Sequence, residues 1–137
     1  MTPLAGALLG LGTLGALDAL YFTLVTYHLV RPDAAWLPRI CRLDEGACAR
    51  IVDTPEARVL GVPNALVGLG WYVALGAAAL LGLPSCAWLL AGAAAAVALS
   101  AYLAWALLRK LRVACALCFL GHGVNVAVFA VLALACA

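Results

Sequence analysis

Four of the six cysteines in this chain form two closely spaced pairs, a pattern suited to redox chemistry. Cys115 and Cys118 begin the last hydrophobic run, and three-residue spacing places two thiols on one helix face, where they could form a disulfide or share a metal ion. Cys41 and Cys48 lie in the only long polar segment. A dithiol relay needs an outer pair that meets a partner and an inner pair beside an electron acceptor. The loop pair suits the outer role and the helix pair the inner role.

Two other interpretations of these thiols remain open on spacing alone. Four thiolates in tetrahedral geometry bind structural zinc, and the two pairs permit this arrangement. Buried cysteine is also a common small apolar residue. The basic run Arg109, Lys110 and Arg112 favours redox chemistry, because positive charge stabilises a nearby thiolate. Cys86 and Cys136 could form a second disulfide, but we expect two small apolar residues that only fill space.

The composition indicates that lipid is the solvent for most of the chain. The 137 residues are 68% hydrophobic and only 10% charged, which is too apolar for a soluble domain of this size. The net charge of +2 gives no indication of nucleic-acid binding. The first hydrophobic run has no basic leader, so we interpret it as a retained helix rather than a signal peptide.

Four hydrophobic runs are long enough to cross a bilayer, which takes about 20 apolar residues. The fold class predicted is an all-α membrane protein, a single domain (residues 1–137) built as a four-helix transmembrane bundle. Between the first two helices, the Asp-Thr-Pro-Glu sequence at 53–56 predicts a short surface helix over 55–60, with Val59 and Leu60 facing lipid. The predicted helices are 4–30, 60–83, 86–108 and 113–136, with a redox loop at 31–59.

Four crossings place the long loop and the basic turn at the same membrane surface. Cys41, Cys48, Cys115 and Cys118 should therefore share that surface, with the other two cysteines at the opposite one. Small residues in the first and third helices predict close helix packing, and Gly6 with Gly10 in the first helix forms a GxxxG pattern.

Taken in order, these motifs resemble the vitamin K epoxide reductase family across essentially the whole chain. The resemblance is carried by the Cys-Arg-Leu-Asp-Glu-Gly-Ala-Cys stretch at 41–48, the Gly-Val-Pro-Asn-Ala-Leu-Val-Gly stretch at 61–68 and the Cys-Ala-Leu-Cys stretch at 115–118. The first helix, with Leu-Asp-Ala-Leu-Tyr-Phe-Thr at 17–23, is similar to prokaryotic members. No thioredoxin-like domain is fused to this chain, so the resemblance implies a separate thiol partner.

The resemblance implies a membrane enzyme that oxidises thiols and reduces a quinone of the menaquinone or ubiquinone type. By position, Cys118 would react with the quinone, with Cys115 as its disulfide partner. Cys48 would attack that disulfide, and Cys41 would complete the outer disulfide that oxidises a thioredoxin-like protein.

Two polar residues are expected near the quinone, and a third polar residue, Asp18, lies within a membrane helix. Asn64 matches the asparagine that donates a hydrogen bond to a quinone oxygen in the family. His122 falls where vertebrate members carry a tyrosine that contacts the ring, and histidine could donate a hydrogen bond, although an interhelical hydrogen bond is an alternative role. Asp18 lies in the middle of the first helix, where a carboxylate is costly. It could form part of a proton path or a structural hydrogen bond.

The orientation in the membrane has two conflicting indications. Family precedent places the paired cysteines on the oxidising, extracytoplasmic side. All eight Lys and Arg residues, however, lie at the cysteine surface, and the positive-inside rule then places that surface in the cytoplasm. We favour the cytoplasmic orientation. The alternative to a thiol:quinone oxidoreductase is a zinc-stabilised tetrathiolate membrane scaffold or transporter.

Overall fold

The computed structural model describes residues 2–31, 51–82, 85–112 and 115–137. The described chain is all-helical, and each of its four long helices is long and apolar enough to cross a membrane. The predicted all-α membrane fold is therefore confirmed. The long helices are α1 (Pro3–Thr26), α2 (Asn64–Leu81), α3 (Cys86–Trp105) and α4 (Ala116–Ala135); a 3-10 helix (Pro55–Arg58) precedes α2, and a π-helix (Ala106–Leu111) continues α3.

The helices do not end where the apolar runs end. Helix α1 stops at Thr26, four residues before the end of the predicted span, because His28 adopts a left-handed conformation with φ of 58°. The Leu29 amide then donates a hydrogen bond of 2.9 Å back to the Leu24 carbonyl, as in a Schellman motif. Helix α2 begins at Asn64 rather than at residue 60, directly after Pro63. Hydropathy detects lipid-facing residues such as Leu29 and Leu60, but turn geometry sets the helix ends.

The short surface helix is confirmed, in a slightly shorter form than expected. It spans Pro55–Arg58 as a 3-10 helix, with Thr54 at its N-cap. Thr54 does not cap through its side chain, since its hydroxyl donates to the Ile51 carbonyl at 2.7 Å. Val59 and Leu60 follow this helix and are exposed, as a lipid-facing edge requires.

Helix α1 lies at the centre of the packing. It packs along α2 and α4, while α3 packs along α4 and hardly touches α2. The main core includes Leu75, Val128 and Leu132, each with at most 1% of its surface exposed. A second cluster lies towards the surface helix and includes Phe22 and Cys115. The first of the inner cysteines is thus part of the packed core.

The two ends of the bundle carry different cross-links. At one end, Lys110 Nζ lies 2.6 Å from Glu56 Oε1, which joins the end of α3 to the surface helix. At the other end, Cys86 and Cys136 form a disulfide. The Cys86–Cys136 disulfide thus lies at the end of the bundle opposite the surface helix, which confirms the predicted topology for the described residues. Cys41 and Cys48 lie outside the described residues.

The expectation that Cys86 and Cys136 only fill space is wrong. Helices α3 and α4 run antiparallel, so the first residue of α3 lies beside the residue that follows α4. The two Cα atoms are 5.8 Å apart, within the range that a disulfide spans. The bond joins residues 50 positions apart and fixes the far end of the α3–α4 pair.

The close packing expected of small residues in the first helix occurs, but not at Gly6 and Gly10. A Cβ atom at Gly6 or Gly10 would meet nothing within 4 Å among the described residues. The close approaches in α1 lie further along the helix. A Cβ at Gly12 would be 3.8 Å from Leu75, and one at Gly15 would overlap the ring of Tyr72.

Candidate active site

A cavity of about 520 Å³ lies within the bundle, on the side of the surface helix. All four long helices and the surface helix contribute to its walls, which are mostly apolar. Its polar lining is sparse and includes a thiol, an amide, an acid and an imidazole. The polar lining residues are Asp18, Thr26, Thr54, Glu56, Asn64, Trp71, Tyr72, Ser100, Cys118, His122 and Asn125.

The two inner cysteines occupy different positions at the start of α4. Cys118 is half-buried and lines the cavity, whereas Cys115 has only 2% of its surface exposed. Cys115 is the N-cap residue, and its sulfur accepts a hydrogen bond of 3.3 Å from the Cys118 amide. An amide N–H at a helix start stabilises a thiolate. The cavity-facing thiol and the helix-capping thiol are therefore chemically distinct.

Asn64 holds the surface helix against the start of α2. Its Nδ2 donates to the Glu56 carbonyl at 2.6 Å, and its Oδ1 accepts from the Val59 amide at 3.1 Å. An asparagine Nδ2 carries a second hydrogen, which can serve another acceptor. Because Asn64 also lines the cavity, its amide can link the surface helix to whatever occupies that space.

Three buried polar atoms in the cavity wall lack hydrogen-bond partners in the described part of the chain. They are Asp18 Oδ1, Trp71 Nε1 and His122 Nε2. Most buried polar side-chain atoms in proteins have at least one partner, so each exception calls for an explanation. All three residues line the same cavity. A polar ligand or water within it would supply the missing partners.

A chain of hydrogen bonds runs across the cavity wall from α2 to α3. The Tyr72 hydroxyl donates to Asn125 Oδ1 at 2.7 Å, and Asn125 Nδ2 lies 2.8 Å from the Ser100 hydroxyl oxygen, to which it donates. These three residues belong to α2, α4 and α3 respectively. The network adds a polar link between α2 and α3, which otherwise meet at few places, one of them the packing of Trp71 over Gly92.

The cavity and its cysteines occur in a chain with a clear family match. The profile described as the Vitamin K epoxide reductase family matches residues 7–133 of the 137 residues. The chain belongs to the vitamin K epoxide reductase family. No curated protein matches it. Membership indicates a membrane oxidoreductase with disulfide-generating redox chemistry, and the Cys86–Cys136 disulfide fits such a protein.

Several of the residues predicted for this family member lie together in the structure. Cys118, Asn64 and His122 all line the cavity, with Cys115 directly behind Cys118. The outer pair Cys41 and Cys48 lies outside the described residues. Within the basic turn, Lys110 forms an ion pair with Glu56.

Sequence reasoning missed part of the cavity wall in this family member. Asn125 and Ser100 were not singled out, although each is a polar residue inside an apolar helix. Asn125 lies seven residues after Cys118 and three after His122, so helical periodicity places all three on one face. That spacing was a usable signal. The sequence gives no such signal for Trp71. Its ring joins the cavity wall by packing against α3, and a single sequence does not show which helices are neighbours.

Glycines make room for three of the wall side chains. A Cβ at Gly92 would lie 2.5 Å from the Trp71 ring, and one at Gly121 would lie 2.6 Å from Asp18 Oδ2. Gly15 similarly admits the ring of Tyr72. The lack of a side chain at these three glycines therefore helps to set the shape of the cavity.

One of the acidic residues in the cavity lining belongs to an ion pair. Glu56 lines the cavity with 7% of its side chain exposed, and Lys110 is its partner. The hydrogen bond from Lys110 holds the pKa of the Glu56 carboxyl below its ordinary value. The pair therefore stays ionised at neutral pH and fastens the surface helix over the cavity.

Proposed function

We propose that this protein is a membrane thiol:quinone oxidoreductase. It makes disulfides in a thioredoxin-like partner and passes the electrons to a quinone of the menaquinone or ubiquinone type. The observation that carries the proposal is the position of Cys118, on the wall of a mostly apolar cavity within a lipid-embedded bundle. A thiol in that position can reach a lipid-soluble electron acceptor without passing through water.

The cavity has the properties that a quinone ring requires. The ring is flat and apolar, and its two carbonyl oxygens accept hydrogen bonds. The mostly apolar walls suit the ring, and the second hydrogen of Asn64 Nδ2 suits one oxygen. His122 offers a further polar group, since its Nε2 is buried without a partner in the described part of the chain. Asn64 and His122 are thus the proposed quinone-binding residues, beside Cys118.

The proposed electron path has three steps. A reduced partner gives two electrons to the Cys41–Cys48 disulfide and is itself oxidised to a disulfide. Cys48 then attacks the Cys115–Cys118 disulfide, and exchange leaves the outer pair oxidised and the inner pair reduced. Cys118, on the cavity wall, and Cys115, which receives an amide hydrogen bond, finally give two electrons to the bound quinone and re-form their disulfide.

We further propose that the paired cysteines face the cytoplasm. In the sequence, all eight Lys and Arg residues fall in the two segments that connect helices on the paired-cysteine side, and the positive-inside rule assigns that side to the cytoplasm. The Cys86–Cys136 disulfide at the opposite end is a second, independent support, since such bonds persist in oxidising, extracytoplasmic compartments. Both observations favour the same orientation, in which the enzyme makes disulfides in cytosolic proteins.

Replacing Cys118 tests the function directly. Purified Cys118→Ala protein in lipid nanodiscs should reduce quinone only at the background rate when a dithiol is the electron donor, because the cavity-facing thiol is gone. The Cys86→Ala/Cys136→Ala double variant is the matched control, and it should keep quinone reduction since those cysteines lie at the far end. Normal turnover by Cys118→Ala would overturn the proposal. Stoichiometric zinc without bound quinone in the wild-type protein would favour the scaffold instead.

A further inference from the structure

We propose that Asp18 is the proton donor of the quinone-reducing site. This inference rests on the proposed function, because it assigns a proton-transfer step of that reaction. Asp18 lies in α1, lines the cavity and presents Oδ1 without a hydrogen-bond partner among the described residues. The same cavity carries Cys118, so the electron donor and the proton donor share one space.

The placement of Asp18 depends on α4. A Cβ at Gly121 would lie 2.6 Å from Asp18 Oδ2, so the carboxyl group rests against the α4 backbone where that helix has no side chain. Gly121 is three residues after Cys118, which is about one helical turn. Geometry therefore holds the acid close to the redox cysteine in the described structure.

The environment of Asp18 argues against a purely structural role. A charged side chain in the middle of a membrane helix is costly, so the neutral acid is favoured there. A structural acid would recover part of this cost through a hydrogen bond, yet Oδ1 has none from the described residues. A neutral carboxylic acid that faces a ligand cavity carries a transferable proton. Because Oδ1 has no hydrogen-bond partner among the described residues, a ligand oxygen can bind there and accept that proton.

The titratable groups around Asp18 come from the two helices packed on α1. Tyr72 on α2 and Cys115 beside α4 interact with Asp18 electrostatically. His122 and Cys118 on α4 share the cavity with it, and Gly121 contributes only backbone. The described cavity lining contains no Lys or Arg, so no basic side chain of the described residues serves as a counter-ion there.

The proposed step balances protons and electrons. Two thiols, those of Cys115 and Cys118, lose two electrons and two protons and form one S–S bond. The quinone gains two electrons and two protons and becomes the hydroquinone. Asp18 gives one of those protons to a quinone oxygen and regains a proton released by the thiols. Over one cycle Asp18 is unchanged.

Substitution of the acid tests this role. In Asp18→Asn, which keeps the shape of the side chain, quinone reduction should fall by about 10²-fold or more, the usual effect of losing a general acid. Quinone binding, measured by titration of the oxidised protein, should change little. Thr23→Val is the matched control, since it removes a buried hydroxyl from the same helix outside the cavity, and it should retain the wild-type rate.

Chemical rescue separates proton transfer from a structural effect. Asp18→Ala leaves space for a small acid, so added formic acid should restore a substantial part of its lost rate while leaving wild type and Thr23→Val unchanged. Infrared spectroscopy adds a readout without turnover. The carbonyl band of a protonated carboxylic acid should be present in wild-type protein and absent from Asp18→Asn.

Substitution of Gly121, against which the Asp18 carboxyl group rests, tests the same role without removing the acid. Gly121→Ala should displace the carboxyl group and slow quinone reduction about as strongly as Asp18→Asn does. Gly123→Ala is the matched control, because it adds the same methyl group to the same helix where no described atom lies within 4 Å. It should leave the rate unchanged.

Three results would overturn the role of Asp18, and a different result would refute the proposed function. A wild-type rate in Asp18→Asn, or equal rates in Gly121→Ala and Gly123→Ala, overturns the role of Asp18 while leaving the proposed function intact. Loss of rate without formic acid rescue of Asp18→Ala also overturns it, because a structural role then explains the loss. Absence of quinone reduction in the wild-type protein refutes the proposed function itself, and infrared spectroscopy still reports whether Asp18 is protonated.

Discussion

At the scale of single residues, glycine decides the shape of the cavity. Gly15, Gly92 and Gly121 each leave a space that a wall side chain from another helix occupies. Other glycines, such as Gly6 and Gly10, face open space among the described residues and serve no such purpose. Glycine is therefore needed for packing at some positions of a helix and not at others that are only a turn or two away.

Gly15→Ala should expose this difference in stability. The added methyl would overlap the Tyr72 ring, which must move and strain its 2.7 Å hydrogen bond to Asn125. Overpacking of this kind costs about 1–3 kcal/mol. Gly10→Ala adds the same methyl without an overlap and should be neutral or stabilising by up to about 1 kcal/mol, the helix propensity of alanine over glycine. Unfolding of both variants in mixed bicelles measures the difference, and equal stabilities would contradict the packing described.

The sequence indicates candidate site residues where their chemistry is unusual for a membrane helix. Cys118, Asn64 and His122 were identified from motif and resemblance, and all three line the cavity. Asn125 was missed despite its helical spacing from His122. Trp71 was out of reach, because it joins the wall by packing over Gly92 on another helix, and a single sequence does not show which helices face each other.

At the scale of elements, the surface helix is attached to the bundle by two polar contacts. Asn64 binds its backbone, and Lys110 binds the Glu56 side chain. Both contacts involve residues that line the cavity, so they hold that part of its wall in one arrangement. The number and order of the membrane helices followed from hydropathy, but the ends of α1 and α2 did not. Those ends depend on left-handed His28 and on Pro63, which hydropathy does not detect.

The Glu56–Lys110 contact predicts a pH dependence of stability. The Glu56 pKa is lowered in the folded protein by its hydrogen bond from Lys110, so the pair stabilises the fold fully above the unfolded pKa of about 4.3. That contribution should disappear as the pH falls through the lower, folded value. Lys110→Met should therefore be less stable than wild type at neutral pH, with the difference shrinking below about pH 4.

Arg109→Met is the control for this experiment. It removes a neighbouring positive charge that makes no ion pair with a described carboxylate. Its stability difference from wild type should stay the same across the acidic range. A Lys110→Met difference that is also independent of pH would contradict the contribution of the ion pair. Unfolding in mixed bicelles at several pH values measures both variants.

At the scale of the whole molecule, the bundle has two chemically different ends. One end carries the basic residues and the inner cysteines, and the other carries the Cys86–Cys136 disulfide. Counting membrane crossings was enough to predict this division. The disulfide itself was not predicted, since residues 50 positions apart meet only because α3 and α4 pack antiparallel.

Thiol labelling in intact cells tests the proposed orientation. After mild reduction, a membrane-impermeant maleimide should label Cys86 and Cys136, because their end of the bundle would face outward. A variant that lacks these two cysteines should be labelled at Cys41 and Cys48 only after the membrane is permeabilised. Labelling of that variant in intact cells would reverse the orientation without affecting the proposed chemistry.

The π-helix Ala106–Leu111 makes this region sensitive to insertions and deletions of single residues. A π turn closes its hydrogen bonds over five residues instead of four, so it holds one residue more than an α turn. Each residue of an α-helix turns the chain by about 100°. Deleting one residue in this stretch would restore α-helical hydrogen bonding and rotate Lys110 away from Glu56. A relative one residue shorter here would need a different contact to hold its surface helix over the cavity.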